Sequence, residues 1–396
     1  MAEPDLQARD AVLKPGRDRS VRRRHPWLLA NAIDRLDDPP APGDWVRICS
    51  ADGEPLAHGH YAPESRLRVR LLAFGKEAPP ADWLEARCAE AVARRERDPA
   101  LASTNAVRLI NSEGDGLPGL VVDRYADTAV VRITAPGMEA RRDAIVAALA
   151  RTSGAARGFE RGDMAAARRE GFAARTGPLW GDPPPATVEI HEGERRYRVD
   201  IGAGQKTGFY LDQRDARDRI QALPGGGHML DLFCYTGGFA VAAQRGGASR
   251  VTLVDSSQAA LALAEQNLAL NGEAPGAELL KADGFQFLRQ TNAKFDCIVI
   301  DPPPLARNRR DVEKASRAYK DLMLHGLRRL TPGGVLAAFT CSHHVSPDLF
   351  RKIAFGASLD AGRTAQVLGT FTAPVDHPAS IDHLEGSYLS GLLLRA

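Results

Sequence analysis

The chain has 396 residues, of which 44% are hydrophobic and 26% charged, and 52 basic against 50 acidic residues give a net charge of +2. This length exceeds one ordinary domain core and predicts two or three domains of a globular protein. The near balance of charge gives no independent argument for a nucleic-acid partner. No apolar run approaches the ~20 residues of a membrane span, and the N-terminus lacks a signal-peptide core, which argues against membrane insertion and export.

The cysteines indicate a reducing compartment. There are five, an odd number, scattered without a repeated spacing. That usage argues against a disulfide framework and suits the cytoplasm. It also lacks the paired spacing of a zinc site, so no metal is expected.

Residues 1–75 are expected to form a small β-barrel-like domain. Residues 66–71 alternate between arginine and aliphatic side chains, which predicts a strand with one cationic and one apolar face. Turn-rich stretches at 37–43 and at Asp52-Gly53 separate the short strands.

Residues 76–201 are expected to form a linker helix and a small central α+β domain. The stretch Pro80–Arg97 is rich in alanine, arginine and glutamate and predicts the helix. The other predicted elements are strands at Leu120–Val122 and Ala129–Ile133, a helix at Met138–Ala150, and a hairpin of Thr187–His191 with Tyr197–Ile201.

Residues 202–396 alternate between strand and helix patterns, which predicts an α/β domain with a parallel, doubly wound sheet. Ligands bind such sheets beyond the carboxyl ends of the strands. The clearest predicted helices are Gln258–Leu270 and Val312–Leu330. The predicted strands are His228–Leu232, Arg250–Asp255, Glu278–Leu280, Asp296–Asp301 and Val335–Thr340.

The turn after the first parallel strand is the first candidate for cofactor binding. Asp231 lies in that strand, Gly237 follows it, and Asp255 ends the next strand. Glycine permits close approach of a ligand to the backbone, and a carboxylate at the strand end can accept both ribose hydroxyl protons of an adenosine cofactor. Nicotinamide and S-adenosylmethionine sites share this pattern. The missing G-x-G-x-x-G order favours S-adenosylmethionine, which has no pyrophosphate to bind.

The third and fourth strands are each followed by an aspartate. Asp283 could bind the adenine amino group, with Phe285 against the ring. Asp301 precedes three prolines, and a carboxylate in so rigid a turn suits orienting a base or accepting its proton. A turn or helix-cap aspartate is the alternative for Asp301.

Cys341 ends the fifth predicted strand, at the same sheet edge as Asp301. A thiolate beside bound S-adenosylmethionine suits methylation of a pyrimidine C5, because that carbon becomes nucleophilic only after addition at C6. Cys297, within an apolar strand, fits a buried structural thiol instead. A protease-like dyad of Cys341 with His343 or His344 has little support, because triad partners are usually distant in sequence.

Together these segments resemble the bacterial large-subunit ribosomal RNA cytosine-C5 methyltransferases, in which a PUA domain and a central domain precede a Rossmann-like methyltransferase domain. The resemblance covers nearly the whole chain. The segments that carry it are 13–17, 23–27, 113–125, 205–214, 230–239, 301–303, 340–344, 376–378 and 385–388.

The resemblance implies that Cys341 is the nucleophile and that Asp301 contacts the target base. It also implies that the segment 205–214 closes over the cofactor, S-adenosyl-L-methionine. An aromatic residue usually follows the D-P-P motif soon after, but Pro304 and Leu305 follow here, so no stacking role is assigned to them. The predicted cofactor-binding residues are Asp212, Asp231, Phe233, Tyr235, Gly237, Asp255, Ser256, Asp283 and Gly284.

Large-subunit ribosomal RNA is the partner that the resemblance implies. A basic cluster that includes Lys14, Arg17, Arg23 and Arg24 could neutralise phosphates, and the arginines at 66, 68 and 70 add a second cationic face. A solvated surface is the common alternative for such charge runs.

Several alternatives stay open. The acceptor could be uracil C5, an exocyclic amine or another RNA, and the chain could instead be a non-catalytic RNA-binding module or a nicotinamide dehydrogenase. Asp301, His343 or water could remove the C5 proton. The modified nucleotide and the oligomeric state are equally open, a homodimer being one option.

Overall fold

The computed structural model describes residues 9–223, 225–272 and 276–396, and the chain divides into two compact units. The first consists of Met1–Val188, Val199–Phe209 and Val375–Gly386. The second consists of Glu189–Arg198, Tyr210–Pro374 and Ser387–Ala396. Each unit thus combines segments from distant parts of the chain. The three domain ranges expected from the sequence stay a prediction.

The first unit contains two sheets. The elements up to residue 180 are β1 (Arg9–Leu13), α1 (Arg19–Arg22), β2 (Trp27–Leu29), β3 (Ile33–Leu36), β4 (Trp45–Cys49), β5 (Pro55–Tyr61), β6 (Leu67–Phe74), α2 (Trp83–Arg97), β7 (Ala106–Asn111), β8 (Leu120–Tyr125), β9 (Thr128–Ile133), α3 (Pro136–Glu139), α4 (Arg142–Thr152), β10 (Arg157–Arg161), α5 (Met164–Glu170) and β11 (Thr176–Trp180). The sheet orders are β2-β6-β5-β4-β1-β3 and β11-β10-β9-β8-β7.

The predicted cationic face of β6 is wrong. Arg70 is buried and forms an ion pair of 2.7 Å with Glu170, and Arg68 donates to the carbonyl oxygen of Pro63. Of the three arginines only Arg66 is exposed. The alternating pattern misled because a buried guanidinium is stable when a distant residue supplies a carboxylate, and α5 supplies one here.

The helix predicted at Met138–Ala150 is two helices, α3 and α4, separated at Ala140 and Arg141. The Arg141 guanidinium donates to the carbonyl oxygens of Gly43 and Gly137, at 2.8 and 3.0 Å. These hydrogen bonds hold Arg141 at the interruption between the two helices. Local helix propensity does not reveal them, because one acceptor, Gly43, lies far away in the sequence.

The second unit carries the predicted parallel sheet. Its elements are most of the hairpin β12 (Thr187–Glu192) and β13 (Arg195–Asp200), then α6 (Arg214–Gln221), β14 (His228–Leu232), α7 (Gly238–Arg245), β15 (Arg250–Asp255), α8 (Gln258–Leu270), β16 (Ala277–Lys281), α9 (Gly284–Gln290), β17 (Phe295–Ile300), α10 (Val312–Arg329), β18 (Leu330–Thr340), α11 (Pro347–Ala361), β19 (Gln366–Phe371) and β20 (Ser390–Arg395).

The sheet order is β16-β15-β14-β17-β18-β20-β19. Strands β14 to β18 are parallel to one another, as predicted, while β20 pairs antiparallel with both β18 and β19. The strand order reverses at β14, which lies between β15 and β17: the chain adds β15 and β16 on one side of it and then β17 and β18 on the other. In an open sheet such a reversal point leaves a crevice at the carboxyl ends of the strands, where ligands bind.

Helix α8 has the bounds that the sequence predicts. It begins after Ser257, whose hydroxyl accepts a hydrogen bond of 3.2 Å from the amide of Ala260. Leu261, Ala264 and Leu268 lie on one face at spacings of three and four residues, and all are buried. Burying each leucine side chain contributes about 1.5–3 kcal/mol, so this face holds the helix on the sheet.

Candidate active site

The turn after β14 has an unusual backbone. Phe233 and Tyr235 have positive φ angles of 63° and 49°, and Gly237 follows at 75°. Left-handed backbone costs a non-glycine residue about 1–2 kcal/mol, so the surrounding structure must hold the turn in place. The amide of Phe233 donates to the carbonyl oxygen of Val254 at 2.9 Å.

Asp255, at the end of β15, holds the same turn from the other side. One carboxylate oxygen accepts from the amide of Tyr235 at 2.9 Å, and the other accepts from the amide of Ser257 at 2.8 Å. Each oxygen of a carboxylate has two acceptor positions, so Asp255 keeps capacity for further donors such as ribose hydroxyls. Ser256, between Asp255 and Ser257 in the sequence, is exposed.

Phe233 and Phe285 form an apolar pair at the start of α9. Their ring centroids lie 5.8 Å apart in an edge-to-face arrangement. Gly284 is buried, and a Cβ there would lie 2.8 Å from the Phe233 ring. Asp283 caps α9, with one carboxylate oxygen accepting from the amide of Gln286 at 2.9 Å. Its predicted contact with adenine stays a prediction.

Asp231 is a buried carboxylate. Its Oδ2 accepts from the amide of Ala240 at 2.9 Å, while its Oδ1 has no hydrogen-bond partner among the described residues. Burial, with the nearby charges of Asp301 and Asp255, raises the pKa of Asp231 well above the ordinary range. A donor or cation supplied by a ligand would satisfy the remaining oxygen.

Asp301 follows β17 and lies half-buried at the same edge. Its Oδ2 accepts from the side-chain Nε2 of Gln213, at 2.9 Å. Gln213 is buried and ends a short 3-10 turn, Leu211–Gln213, that leads into α6.

Cys341 follows β18, the strand next to β17, and is also half-buried. Its sulfur lies 4.0 Å from the carbonyl oxygen of Pro302, the residue after Asp301. The predicted juxtaposition of Cys341 and Asp301 at one edge of the sheet is therefore present. His343 is exposed, and its ring centroid lies 3.8 Å from that of His344.

The other thiols of this unit are poor nucleophiles. Burial raises the pKa of Cys297 to about 12 and that of Cys234 well above the ordinary range. A thiol that stays protonated at neutral pH does not attack an electrophile, so Cys297 fits the structural reading that its apolar strand predicts.

Tyr210 lies among the candidate catalytic groups, and sequence reasoning did not single it out. Burial raises the pKa of its phenol, and the neighbouring charges of Asp301, Asp212 and Cys341 add to this. Its ring centroid lies 5.5 Å from that of Tyr235. The phenol therefore stays neutral and can donate a hydrogen bond within the site.

Asp212, a predicted cofactor residue, is buried and accepts a hydrogen bond of 2.6 Å from the hydroxyl of Tyr388. Tyr388, like Gln213, lies in a segment that carries the family resemblance. The sequence motif alone does not reveal that the hydroxyl of Tyr388 bonds Asp212. Only the three-dimensional arrangement joins residues 176 positions apart.

A buried ion pair supports this segment. Arg217 in α6 donates to both carboxylate oxygens of Glu192, at 2.8 and 2.5 Å, and to the carbonyl oxygen of Tyr210 at 3.0 Å. Burial alone would raise the pKa of Glu192, but Arg217, Arg214 and Arg195 outweigh burial and lower it. Removing one partner of such a pair is strongly destabilising, so Arg217 is held firmly by Glu192. Its hydrogen bond to the carbonyl oxygen then fixes the backbone of Tyr210.

The predicted RNA-binding residues lie in the first unit. Lys14, Arg17, Arg23 and Arg24 are all exposed, and none forms an ion pair with any residue that the structure describes. Arg22 between them is different, because it pairs with both Asp18 and Glu54.

Within residues 9–223, 225–272 and 276–396, no helix is long and apolar enough to cross a membrane. Within the same ranges, no group of three or more histidine, cysteine, aspartate or glutamate side chains is arranged to hold a metal ion.

Comparison with known proteins agrees with this fold. Residues 11–74 match a family described as a PUA-like domain, and residues 164–362 match one described as an S-adenosylmethionine-dependent methyltransferase. A methyltransferase crystallised with S-adenosylhomocysteine aligns over 98% of this chain and 100% of its own, with a TM-score of 0.84 and 23% identity. A methyltransferase from Streptococcus mutans gives 0.83 over the same shares, also at 23% identity. These two structures support the fold alone.

The class defined by this fold and site is therefore an S-adenosylmethionine-dependent methyltransferase with a PUA-like domain. The ribosomal RNA large subunit methyltransferase I of Aeromonas hydrophila is 41% identical over 97% of this chain and 98% of its own length. The Photobacterium profundum protein of the same name is 40% identical over 96% of this chain and 97% of its own length. The chain belongs to this family of S-adenosylmethionine-dependent large-subunit ribosomal RNA methyltransferases, which confirms the family predicted from the sequence.

The residues present fit S-adenosylmethionine. The unpartnered Oδ1 of Asp231 suits a cationic group, and Asp255 has acceptor capacity left for ribose. Phe233 and Phe285 offer apolar faces to an adenine ring. The contacts of each predicted cofactor residue with the cofactor stay predictions.

Proposed function

We propose that the chain methylates C5 of a cytosine in large-subunit ribosomal RNA through a covalent adduct with Cys341. One observation carries the proposal: Cys341 and Asp301 follow adjacent parallel strands at the edge where the cofactor residues lie. Methylation of an exocyclic amine needs no thiolate, because the amine nitrogen is already nucleophilic. A half-exposed thiol beside the D-P-P aspartate therefore favours carbon methylation.

In the proposed reaction the Cys341 thiolate adds to C6 of the pyrimidine, forming a sulfur–carbon bond. The electron pair of the C5–C6 double bond then makes C5 nucleophilic. S-adenosylmethionine, when bound, would supply the electrophilic methyl group: its methyl–sulfur bond breaks as the bond to C5 forms, and S-adenosylhomocysteine leaves. Loss of the C5 proton to a base and cleavage of the sulfur–C6 bond restore the aromatic ring and the free thiolate.

Asp301 has the role of contacting the base. When the thiolate adds to C6, negative charge develops on N3 and on the exocyclic oxygen. A carboxyl group that shares or donates a proton at N3 stabilises that charge. Its hydrogen bond with Gln213 keeps the carboxyl group in one orientation while the base enters.

The first test uses nucleoside mass spectrometry. Large-subunit ribosomal RNA is incubated with labelled S-adenosylmethionine and with wild type, Cys341→Ala or Cys297→Ala. We expect label in 5-methylcytidine with wild type and with Cys297→Ala, and a loss of at least about 10³-fold in Cys341→Ala because the nucleophile is gone. Label in another nucleoside would contradict the C5 reaction.

A second test detects the adduct itself. RNA containing 5-fluorocytidine should trap the protein, because fluorine at C5 cannot leave as a proton does. We expect a band of slower migration on denaturing gels that requires both Cys341 and S-adenosylmethionine. A methylated product without any trapped species would speak against the covalent route.

RNA binding is proposed for the exposed cluster of Lys14, Arg17, Arg23 and Arg24. Exposed cations that lack carboxylate partners are available to neutralise phosphates. Ribosomal RNA as the substrate implies action in the cytoplasm, where ribosomal subunits assemble.

A further inference from the structure

Gln213 has a fixed amide orientation at the proposed site. Its Nε2 lies 2.9 Å from Oδ2 of Asp301. The amide nitrogen of Gln213 donates this hydrogen bond and the Asp301 oxygen accepts it. The amide oxygen, on the other branch of the side chain, is directed away from that bond.

That amide oxygen is buried and has no hydrogen-bond partner among the described residues. The residue as a whole is only 3% exposed. A buried acceptor without a partner costs about 1–3 kcal/mol, and folded proteins contain few of them. Beside Asp301, a candidate catalytic group, this cost is explained if a bound ligand supplies the missing donor.

We propose that Gln213 determines base specificity by accepting a hydrogen bond from the 4-amino group of the target cytosine. This inference rests on the proposed function. The amino group of cytosine donates, whereas uracil presents a carbonyl oxygen at the same position and would place acceptor against acceptor. A site built to bind an N–H group rejects an analogue that lacks it by up to about 10⁴–10⁵-fold.

The cofactor is a competing source of the donor, because S-adenosylmethionine carries an ammonium group. The charges of the Asp231 and Gln213 acceptors separate these possibilities. Asp231 Oδ1 belongs to a carboxyl group and suits a cation, whereas the Gln213 oxygen belongs to a neutral amide and suits a neutral N–H donor. Gln213 also contacts Asp301, the residue proposed to contact the base.

The test compares two transcripts of the large-subunit RNA, with cytidine or uridine at the position that the wild-type enzyme labels. In Gln213→Met, which keeps the side-chain length but lacks the amide, we expect kcat/KM on the cytidine transcript to fall by about 10²-fold or more. The rate on the uridine transcript should change little, so the preference for cytidine falls by a similar factor. Gln213→Glu keeps an oxygen acceptor and should retain more of the preference than Gln213→Met.

Gln286→Met is the matched control, because Gln286 is an exposed glutamine of α9 and should leave both rates unchanged. The Kd for S-adenosylhomocysteine, with its thermal shift, reports folding and cofactor binding in each variant. Equal loss on both transcripts, or a weakened cofactor Kd with the preference intact, would overturn the inference. Failure of the wild type to label any cytidine would overturn the proposed function, and this inference with it.

Discussion

Buried carboxylates have different partners in the first unit and at the candidate site of the second unit. In the first unit, Asp115 accepts from Arg95 at two oxygens, both at 2.7 Å, and from the amide of Asn111 at 2.6 Å. Asp123 accepts from Arg108 at 2.6 and 3.0 Å and also from the hydroxyl of Thr207. Each of these charges is neutralised by an arginine within the fold.

In the second unit, Asp231 is buried without an arginine partner among the described residues. One of its oxygens accepts from the backbone amide of Ala240, and the other has no hydrogen-bond partner in the same ranges. The raised pKa of Asp231 is the consequence of burial beside other acids. Glu192 of the same unit differs from Asp231 and resembles the carboxylates of the first unit, because it is buried and pairs with Arg217.

The difference teaches how to separate structural from functional burial of charge. A carboxylate saturated by guanidinium groups stabilises a fold and has no remaining capacity for a ligand. A carboxylate left partly satisfied costs stability, and this cost is retained where a cofactor or substrate completes the site. The two classes should therefore respond oppositely to the same isosteric change.

The largest expected effect is on activity. Asp301→Asn should reduce methyl transfer by about 10²–10⁴-fold, because the amide can neither donate a carboxyl proton nor accept one. Its thermal unfolding should change little, since an asparagine can still bind Gln213. Labelled methyl transfer and differential scanning calorimetry of the same preparation measure the two quantities. A folded variant with full activity would remove Asp301 from the mechanism.

The matched change in the first unit should act on stability. Asp115→Asn leaves the guanidinium of Arg95 buried beside a neutral amide, and breaking a buried pair costs about 3–5 kcal/mol. We expect a lower unfolding temperature for the first unit and an unchanged Kd for S-adenosylhomocysteine at a temperature where the variant is folded. An unfolding temperature equal to that of the wild type would show that the ion pair contributes little to stability.

Asp231 should give a smaller effect that depends on pH. Because its folded pKa lies above the ordinary value of 3.8, ionisation destabilises the folded state, and stability is lost as pH rises above that value. Asp231→Asn cannot titrate. The unfolding free energy of the wild type minus that of Asp231→Asn should therefore decrease between about pH 4 and pH 7 in urea titrations.

Bound S-adenosylhomocysteine serves as the control for this titration. Its ammonium group should compensate the ionised carboxylate, so the pH dependence should become weaker in its presence. A pH-independent difference between the two proteins, with and without ligand, would mean that the pKa of Asp231 is not raised.

Much of this fold is readable from the sequence, because its signals are local. The strands β14 and β15 and the helix α8 have the predicted bounds, since apolar period and end signals decide them. The juxtaposition of Cys341 with Asp301 also follows, because parallel strands align their carboxyl ends. These are rules of chain geometry that need no knowledge of distant contacts.

Long-range pairing was not readable. Arg70 has the same alternating context as an exposed strand arginine, and only Glu170, a hundred residues away, makes its burial stable. Gln213 and Tyr388 look like ordinary motif residues, and their partners Asp301 and Asp212 become apparent only when the chain is folded. Sequence patterns report which face of an element is apolar, but they do not report which polar partner meets a buried polar group.

The smallest expected effect extends the comparison to surface cations. Arg23 and Arg24 are exposed without carboxylate partners among the described residues, whereas Arg22 pairs with Asp18 and Glu54. If unpaired cations bind phosphates, the double variant Arg23→Gln, Arg24→Gln should weaken RNA binding and reduce the slope of log K against log salt by about 1–2. Arg22→Gln should change that slope less, because its charge is already partly neutralised. Equal slopes in the wild type and the double variant would place the RNA-binding surface elsewhere.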